Sequence, residues 1–238
     1  MRVPSTALRE TLDMISTQTD TVMLRPGTVG ENTVWRFVSY RTDRTALIDI
    51  TLVVIDDGQT VPTVTFKVSE WQRAIRSLTG DVTVTYIDGR TVLSDTQYRF
   101  TIPVDGGEPT EVRVPQIQTT VDVMCEIKDL RGLMVADPKR SDGMSLTVTA
   151  NGMVMTSEDE RGGVSYTVPQ ERCAILALPP EGRVVTSYPL ETFNEFMRAA
   201  PVDMGVGVRF ARDLPLIVEF GGRGYDGMWL LAPRIEEE

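Results

Sequence analysis

The chain has no histidine, only two cysteines and only three lysines among its 238 residues. The absence of histidine removes the commonest general base, the commonest metal ligand and the partner that activates a serine or cysteine nucleophile. Cys125 and Cys173 are too few for a disulfide framework and lack the spacing of metal ligands. A glycine-rich phosphate loop is missing too. We therefore expect buried apolar thiols, no metal site, no cofactor and no catalytic residue, and an enzyme is the least favoured class.

Long apolar segments are also missing. No apolar run approaches the roughly 18 residues of a membrane span, and the first residues lack the apolar region of a secretory signal, so we expect a cytoplasmic protein without a membrane partner. The net charge of −10 would usually argue against nucleic acid, because phosphates are bound by lysine and arginine. Net charge does not describe distribution, however, so the placement of the 24 cations decides this question.

The same order of predicted elements occurs twice. The first half has a helix from Ser5, which can cap it, then strands at 34–40 and 45–54, a second helix from Ser69, also a cap, and strands near 82–87, 91–93 and 97–102. The second half has a helix marked by apolar residues between 127 and 134, a series of strands, and a helix at 189–200. The helix starts lie about 120 residues apart, which indicates an internal repeat.

Residues 103–115 are rich in glycine, proline and acidic residues, which is typical of an exposed connector. We predict an N-terminal domain over 1–102, a connecting loop over 103–116 and a C-terminal domain over 117–238. Both domains are α+β. A doubly wound parallel sheet fits less well, because helices and strands do not alternate one for one.

The C-terminus closes with a predicted β-hairpin, formed by apolar runs at 213–220 and from 227 onward. Pro233 should end the second strand, because proline cannot donate to a strand ladder. We expect three apolar residues to be exposed beside the acidic end of the chain. They are called the C-terminal lip and are Ala232, Pro233 and Ile235.

Four segments in this order resemble the ring-shaped DNA sliding clamps, the proliferating cell nuclear antigen family. They are residues 39–50, 111–115, 193–201 and the C-terminal hairpin. The resemblance covers almost the whole chain. It implies the clamp fold, an α+β fold of two similar domains whose helices line the inside of a ring and whose antiparallel sheets form the outside. It also implies an archaeal or viral source and a non-enzymatic processivity factor of DNA replication and repair.

The resemblance implies a hydrophobic pocket for short peptides of a DNA polymerase, clamp loader, nuclease or ligase. Its residues would be Tyr40, Leu47, Val112, Val114, Pro215, Leu230, Ala232, Pro233 and Ile235. For Leu47, Pro215 and Leu230, simple core packing is an equally good interpretation.

The resemblance also places cations of the helices towards double-stranded DNA, which they would bind without reading its sequence. These cations are Arg9, Arg73, Arg76, Lys128, Arg131 and Arg198. All six avoid the apolar positions of their helices. An ordinary solvated helix face explains any one pair, but the occurrence on all four helices favours DNA.

Subunits of the family join edge to edge, and a homotrimer is implied. By position, the two edges would be formed by Gln97, Tyr98, Arg99 and Phe100 and by Cys173, Ala174, Ile175 and Leu176.

A second hypothesis stays open: a clamp-like interaction protein, or a subunit of a heteromeric ring, that does not load on DNA as a homomer. Glu10, Glu191 and Glu195 support it, because they stand near helix faces where the family often has neutral or basic residues.

Overall fold

The computed structural model describes residues 1–58, 60–105, 112–135, 141–160 and 162–234. These residues form two compact units. Unit 1 contains Met1–Val114 and Gly222–Gly227, and unit 2 contains Pro115–Gly221 and the chain from Met228 onward. Within the described ranges, no helix is both long and apolar enough to cross a membrane.

Unit 1 has two helices, α1 (Ser5–Ser16) and α2 (Val68–Ile75). Its strands are β1 (Arg2–Pro4), β2 (Thr21–Val29), β3 (Asn32–Tyr40), β4 (Ala46–Val54), β5 (Val64–Lys67), β6 (Asp81–Ile87), β7 (Arg90–Ser94) and β8 (Arg99–Pro103). They pair antiparallel in the orders β4-β3-β2-β5 and β1-β6-β7-β8.

Aromatic side chains fill the core of unit 1. The ring of Trp71 on α2 stacks on Phe66 at 4.0 Å, and Phe37 on β3 meets Phe66 edge to face at 6.3 Å. Leu8 and Leu12 are fully buried on the apolar face of α1. The two helices are joined on their polar side as well, because the Gln72 amide donates a 2.8 Å hydrogen bond to the Asp13 carboxylate.

Unit 2 has the short helix α3 (Ile127–Leu130), which continues as a 3₁₀ turn (Arg131–Val135), and the helix α4 (Leu190–Ala199). Its strands are β9 (Val121–Glu126), β10 (Gly143–Thr149), β11 (Gly152–Asp159), β12 (Gly162–Pro169), β13 (Ala174–Ala177), β14 (Arg183–Pro189), β15 (Gly205–Phe210), β16 (Leu216–Gly222) and β17 (Tyr225–Leu231), the last two joined by the turn that belongs to unit 1. They pair in the orders β12-β11-β10-β14 and β13-β9-β15-β16-β17. The core is again aromatic: Phe196 on α4 stacks on Trp229 at 4.4 Å.

The internal repeat extends to individual hydrogen bonds. In unit 1, the Arg9 guanidinium donates to the Ile75 carbonyl at 3.1 Å. In unit 2, the Arg131 guanidinium donates to the Met197 carbonyl at 2.7 Å, and both residues lie 122 positions after their counterparts. In each unit, therefore, an arginine from the first helical segment binds the C-terminal end of the second helix.

The predicted serine caps are wrong. α1 and α2 follow directly after strands, with Pro4 and Lys67 at their N-cap positions, and neither Ser5 nor Ser69 caps a helix with its side chain. Asp20 supplies the cap of α2 instead: its carbonyl accepts the Val68 N–H at 2.7 Å and its carboxylate accepts the Ser69 N–H at 2.9 Å. The third predicted helix also differs, since only Ile127–Leu130 is α-helical. Here a capping box between Glu126 and Asp129 starts a single turn, and the chain then tightens to 3₁₀ geometry.

Candidate functional site

Three of the predicted DNA-binding arginines are exposed and have no partner among the described residues. Arg73 lies on α2 and Arg76 at its C-terminal cap, while Arg198 lies in the last turn of α4. Their side chains form no hydrogen bond or ion pair with any other residue that the structure describes. Arg198 follows Arg76 by 122 positions, the same offset that relates the two helix-binding arginines. Each unit thus presents an unpartnered arginine at the equivalent end of its second helix.

Arg9 and Arg131, by contrast, have hydrogen-bond partners within their own units. Arg131 donates to the carbonyls of Met197, Arg198 and Ala200 at 2.7, 3.2 and 2.6 Å, which satisfies the open C-terminal end of α4. Arg9 binds the end of α2 with one such bond. Both side chains are half-buried between helices. Periodicity predicts both outside the apolar stripe, and the structure shows that part of each guanidinium binds backbone oxygens of the second helix.

Two further charged side chains have partners nearby. The Lys128 ammonium lies 2.7 Å from the Glu126 carboxylate, and this contact raises the pKa of Lys128. Glu10 accepts hydrogen bonds at 2.9 Å from the Arg223 guanidinium and from the Tyr225 hydroxyl. The Glu10 carboxylate is therefore paired with a cation, whereas Glu191 is exposed on α4.

The predicted subunit edges are outermost strands. β8 ends the order β1-β6-β7-β8, and next to it Tyr98 is half exposed and stacks its ring on Phe100 at 6.3 Å. In unit 2, β13 is the outermost strand of the order β13-β9-β15-β16-β17, and Leu176 on it is 62% exposed. Cys173 precedes this strand and is buried, so it offers no surface for a contact. Exposed apolar side chains on an edge strand favour pairing with another chain.

In unit 1, the residues predicted for the peptide pocket behave differently from one another. The Tyr40 hydroxyl, at the end of β3, donates a 2.8 Å hydrogen bond to the Arg113 carbonyl, between the half-buried Val112 and Val114. This bond holds the connector against β3. Leu47 is only 2% exposed, so it belongs to the core and offers almost no surface to a ligand.

In unit 2, the residues predicted for the peptide pocket lie near the C-terminal end of the chain. Leu230 is 4% exposed and packs in the core, while Pro215, Ala232 and Pro233 are half-buried. β17 ends at Leu231, two residues before Pro233. Ile235 lies outside the described residues. The described part of the C-terminal lip is thus Ala232 and Pro233, followed by Arg234, whose N–H donates to the Ser187 carbonyl at 2.8 Å.

Within the described ranges, no three carboxylate or cysteine side chains lie close enough together to hold a metal ion. Cys125 and Cys173 are both buried free thiols. Burial raises the pKa of Cys125 to about 12, so this thiol stays protonated and unreactive at neutral pH.

Comparison with known proteins connects these surfaces to one fold. No protein-family model matches the chain. Curated relatives include a DNA polymerase sliding clamp from Methanococcoides burtonii, 27% identical over 131 residues, which is 54% of this chain and 52% of that protein. Another, from Methanopyrus kandleri, is 33% identical over 100 residues, which is 41% of this chain and 40% of that protein. The chain thus spans about half the length of the curated relatives it matches, or less.

Solved structures match over the whole length. PCNA from Thermococcus kodakaraensis superposes with a TM-score of 0.84 at 14% identity, covering 98% of this chain and 99% of that one. A. fulgidus PCNA bound to the C-terminal region of FEN-1 superposes with a TM-score of 0.83 at 12% identity, covering 100% and 98%. The chain has the sliding-clamp fold. PCNA from Entamoeba histolytica matches similarly, with a TM-score of 0.81 at 15% identity and 98% of each chain covered.

Sequence reasoning missed two residues that shape the candidate surfaces of this sliding-clamp fold. Asp20 caps α2, which carries Arg73, from 49 positions earlier in the chain. Asp142 binds Arg234 across 92 positions. No local spacing signals such pairings, because both depend on strands that the fold brings together. The pair Asp142-Gly143 has the composition of a turn, and it lies at the start of β10.

Proposed function

We propose that the chain is a DNA sliding clamp: a ring-forming processivity factor that encircles duplex DNA and tethers polymerase and other replication and repair proteins. The observation that carries this proposal is the likeness of nearly the whole chain to PCNA structures, at a TM-score of 0.84. The curated relatives named DNA polymerase sliding clamp support it independently, through sequence. Such a protein works by binding alone, in the cytoplasm.

The DNA surface in this proposal is formed by exposed cations of the helices. Arg73, Arg76 and Arg198 have no partner in the described structure, and Lys128 is exposed beside Glu126. Duplex DNA carries one negative charge per roughly 1.7 Å of its axis, so a few arginines can attract it without any base contact. Contacts of this kind permit sliding, because every position along the duplex offers the same phosphates.

Two measurements test ring formation and DNA binding separately. Light scattering should give three times the 26.4 kDa of the chain, and a monomer at every concentration would exclude the homotrimer. Retention on closed circular DNA should exceed retention on linear DNA, from which a ring slides off.

Replacing Arg73 and Arg76 by glutamate should lower retention on circular DNA without changing the mass of the assembly. The matched control replaces Arg183 and Arg212, exposed arginines of unit 2, by glutamate; equal losses in both pairs would remove the assignment of this helix face.

We propose that partners dock as short peptides in unit 2, beside Pro215 and the C-terminal lip. The probe is a peptide of the C-terminal region of FEN-1, which is bound to PCNA in the A. fulgidus structure; it is called the test peptide below. Measurable binding of the test peptide, lost when Pro233 is replaced by serine, is the expected result. Unchanged binding in that variant would place the site elsewhere.

A heteromeric ring remains a second candidate because of one observation. The position of Arg73 on α2 corresponds to Glu195 on α4, 122 residues later, so the second helices of the two units differ in charge at this site. A subunit of this kind would form the full ring only with other chains. It would remain smaller than a trimer alone in light scattering, which separates the two candidates.

A further inference from the structure

The last described residue of the chain, Arg234, is bound at three points within unit 2. Its guanidinium donates two hydrogen bonds to the Asp142 carboxylate, at 2.7 and 3.0 Å. Its backbone N–H donates to the Ser187 carbonyl on β14 at 2.8 Å. The chain leading out of β17 is thereby fixed to β14 and to the start of β10. We call this arrangement of Arg234, Asp142 and Ser187 the C-terminal lock.

Gly143 leaves room for the lock. A methyl group added at residue 143 would overlap the Nη1 atom of Arg234, so the guanidinium lies directly over the glycine backbone. Gly143 has no left-handed backbone conformation that would require glycine. The absence of a side chain here therefore serves the close approach of Arg234.

The ion pair of the lock is exposed, since 86% of the Asp142 side chain is accessible to solvent. Pairs of this kind contribute little to the stability of a fold. A two-point fork does fix geometry, however, because the planar guanidinium matches both carboxylate oxygens. In this structure, the fork holds the residue that follows Ala232 and Pro233, the described part of the C-terminal lip.

We propose that Asp142 and Ser187 are positioning residues for partner docking, which hold Arg234 so that Ala232 and Pro233 are ordered before a peptide arrives. This inference rests on the proposed function. A preformed surface binds more tightly, because less conformational entropy is lost on binding. Asp142 acts through Arg234 and need not touch the peptide.

The experiment combines peptide affinity with amide exchange in the full chain. The variants are Asp142→Asn, Gly143→Ala, Arg234→Gln and the double variant Asp142→Asn with Arg234→Gln. Asp142→Glu is the conservative replacement. Glu181→Gln is the matched control, since Glu181 is an exposed carboxylate of the same unit without a partner in the described structure. Affinity for the test peptide is measured by fluorescence anisotropy, and hydrogen exchange reports on the Arg234 amide that donates to Ser187.

We expect Asp142→Asn, Gly143→Ala and Arg234→Gln each to weaken test-peptide binding about threefold and to speed exchange of the Arg234 amide. The double variant should bind the test peptide no more weakly than either single variant, because the two single replacements remove the same interaction. Asp142→Glu should restore part of the affinity, and Glu181→Gln should change neither readout.

Three results would overturn the inference. The first is unchanged affinity or unchanged amide exchange in Asp142→Asn and Gly143→Ala while the wild-type chain binds the peptide. The second is a loss of binding free energy in the double variant that equals the sum of the losses in the two single variants. This would mean that Arg234 contacts the peptide independently of Asp142. The third is a wild-type chain that binds no test peptide; this result contradicts the proposed docking itself, and the inference falls with it.

Discussion

Replacing Arg131 by methionine should destabilise unit 2 by about 3 kcal/mol. Methionine keeps the apolar stem of the side chain and removes the three hydrogen bonds to the end of α4. A hydrogen bond to a charged group contributes about 1.5–3 kcal/mol net, and a cation at a helix C-terminus adds about 0.3–1 kcal/mol. The full sum would be about 5–10 kcal/mol, but Arg131 is half-buried and water can replace part of the loss. About 3 kcal/mol is therefore the expected value.

The pseudo-equivalent residue provides an internal comparison. Arg9 makes a single bond, 3.1 Å long, and its buried Nε has no partner in the described structure. Arg9→Met should therefore cost only about 1 kcal/mol. Arg198→Gln, at an exposed arginine with no partner in the part of the chain that the structure describes, should change stability by less than about 0.5 kcal/mol.

Urea unfolding measures the change in the free energy of unfolding for Arg131→Met, Arg9→Met and Arg198→Gln. Hydrogen exchange shows which helix is affected. In Arg131→Met, the amides of α4 should exchange about a hundredfold faster, whereas those of α2 should not change. A loss below about 1 kcal/mol in Arg131→Met, or a larger loss in Arg198→Gln, would refute the reasoning. Retention on circular DNA, measured where both variants are folded, should fall for Arg198→Gln and much less for Arg131→Met.

Three further predictions concern other residues. Asp20→Ala should destabilise unit 1 by about 1 kcal/mol through loss of the α2 cap, measured by urea unfolding; no change would exclude that role. Cys125 and Cys173 should react with a thiol reagent at pH 8 only after unfolding, since both are buried and the pKa of each thiol is raised; fast labelling would contradict this. Arg234 lowers the pKa of Asp142, so protection of the Arg234 amide should persist at about pH 4 and be lost only as pH falls further, when Asp142 is protonated; loss near pH 6 would point to another group.

Patterns along the chain were sufficient for much of the fold. Period-two alternation and β-branched residues locate β3, β4 and the closing hairpin, and the apolar stripes of α1 and α4 are local properties. β2 was missed because Pro26 and Gly27 interrupt its pattern, although both lie within the strand. β5 was missed because four residues are too few to show a period.

The candidate surfaces were less predictable than the fold. Helical periodicity separates the polar side of a helix from its apolar side. It does not show whether a polar side chain faces solvent or binds the end of a neighbouring helix. Arg76 and Arg131 therefore looked alike in sequence, although only Arg76 is free. Leu47 and Leu230 were ambiguous for a related reason: a buried strand residue and a pocket residue have the same apolar character, and only packing distinguishes them.

The cap that Asp20 provides makes the cationic surface of α2 depend on the folding of unit 1. An eight-residue helix is too short to be stable alone, and the N-terminal end of α2 is completed by a residue 49 positions earlier. Pairing of Thr21 on β2 with Lys67 on β5 brings Asp20 to the first residues of α2, so the capped helix that carries Arg73 depends on this pairing. An isolated peptide of residues 64–80 would carry the same arginines without their arrangement. A nascent or unfolded chain would thus lack this ordered cationic surface.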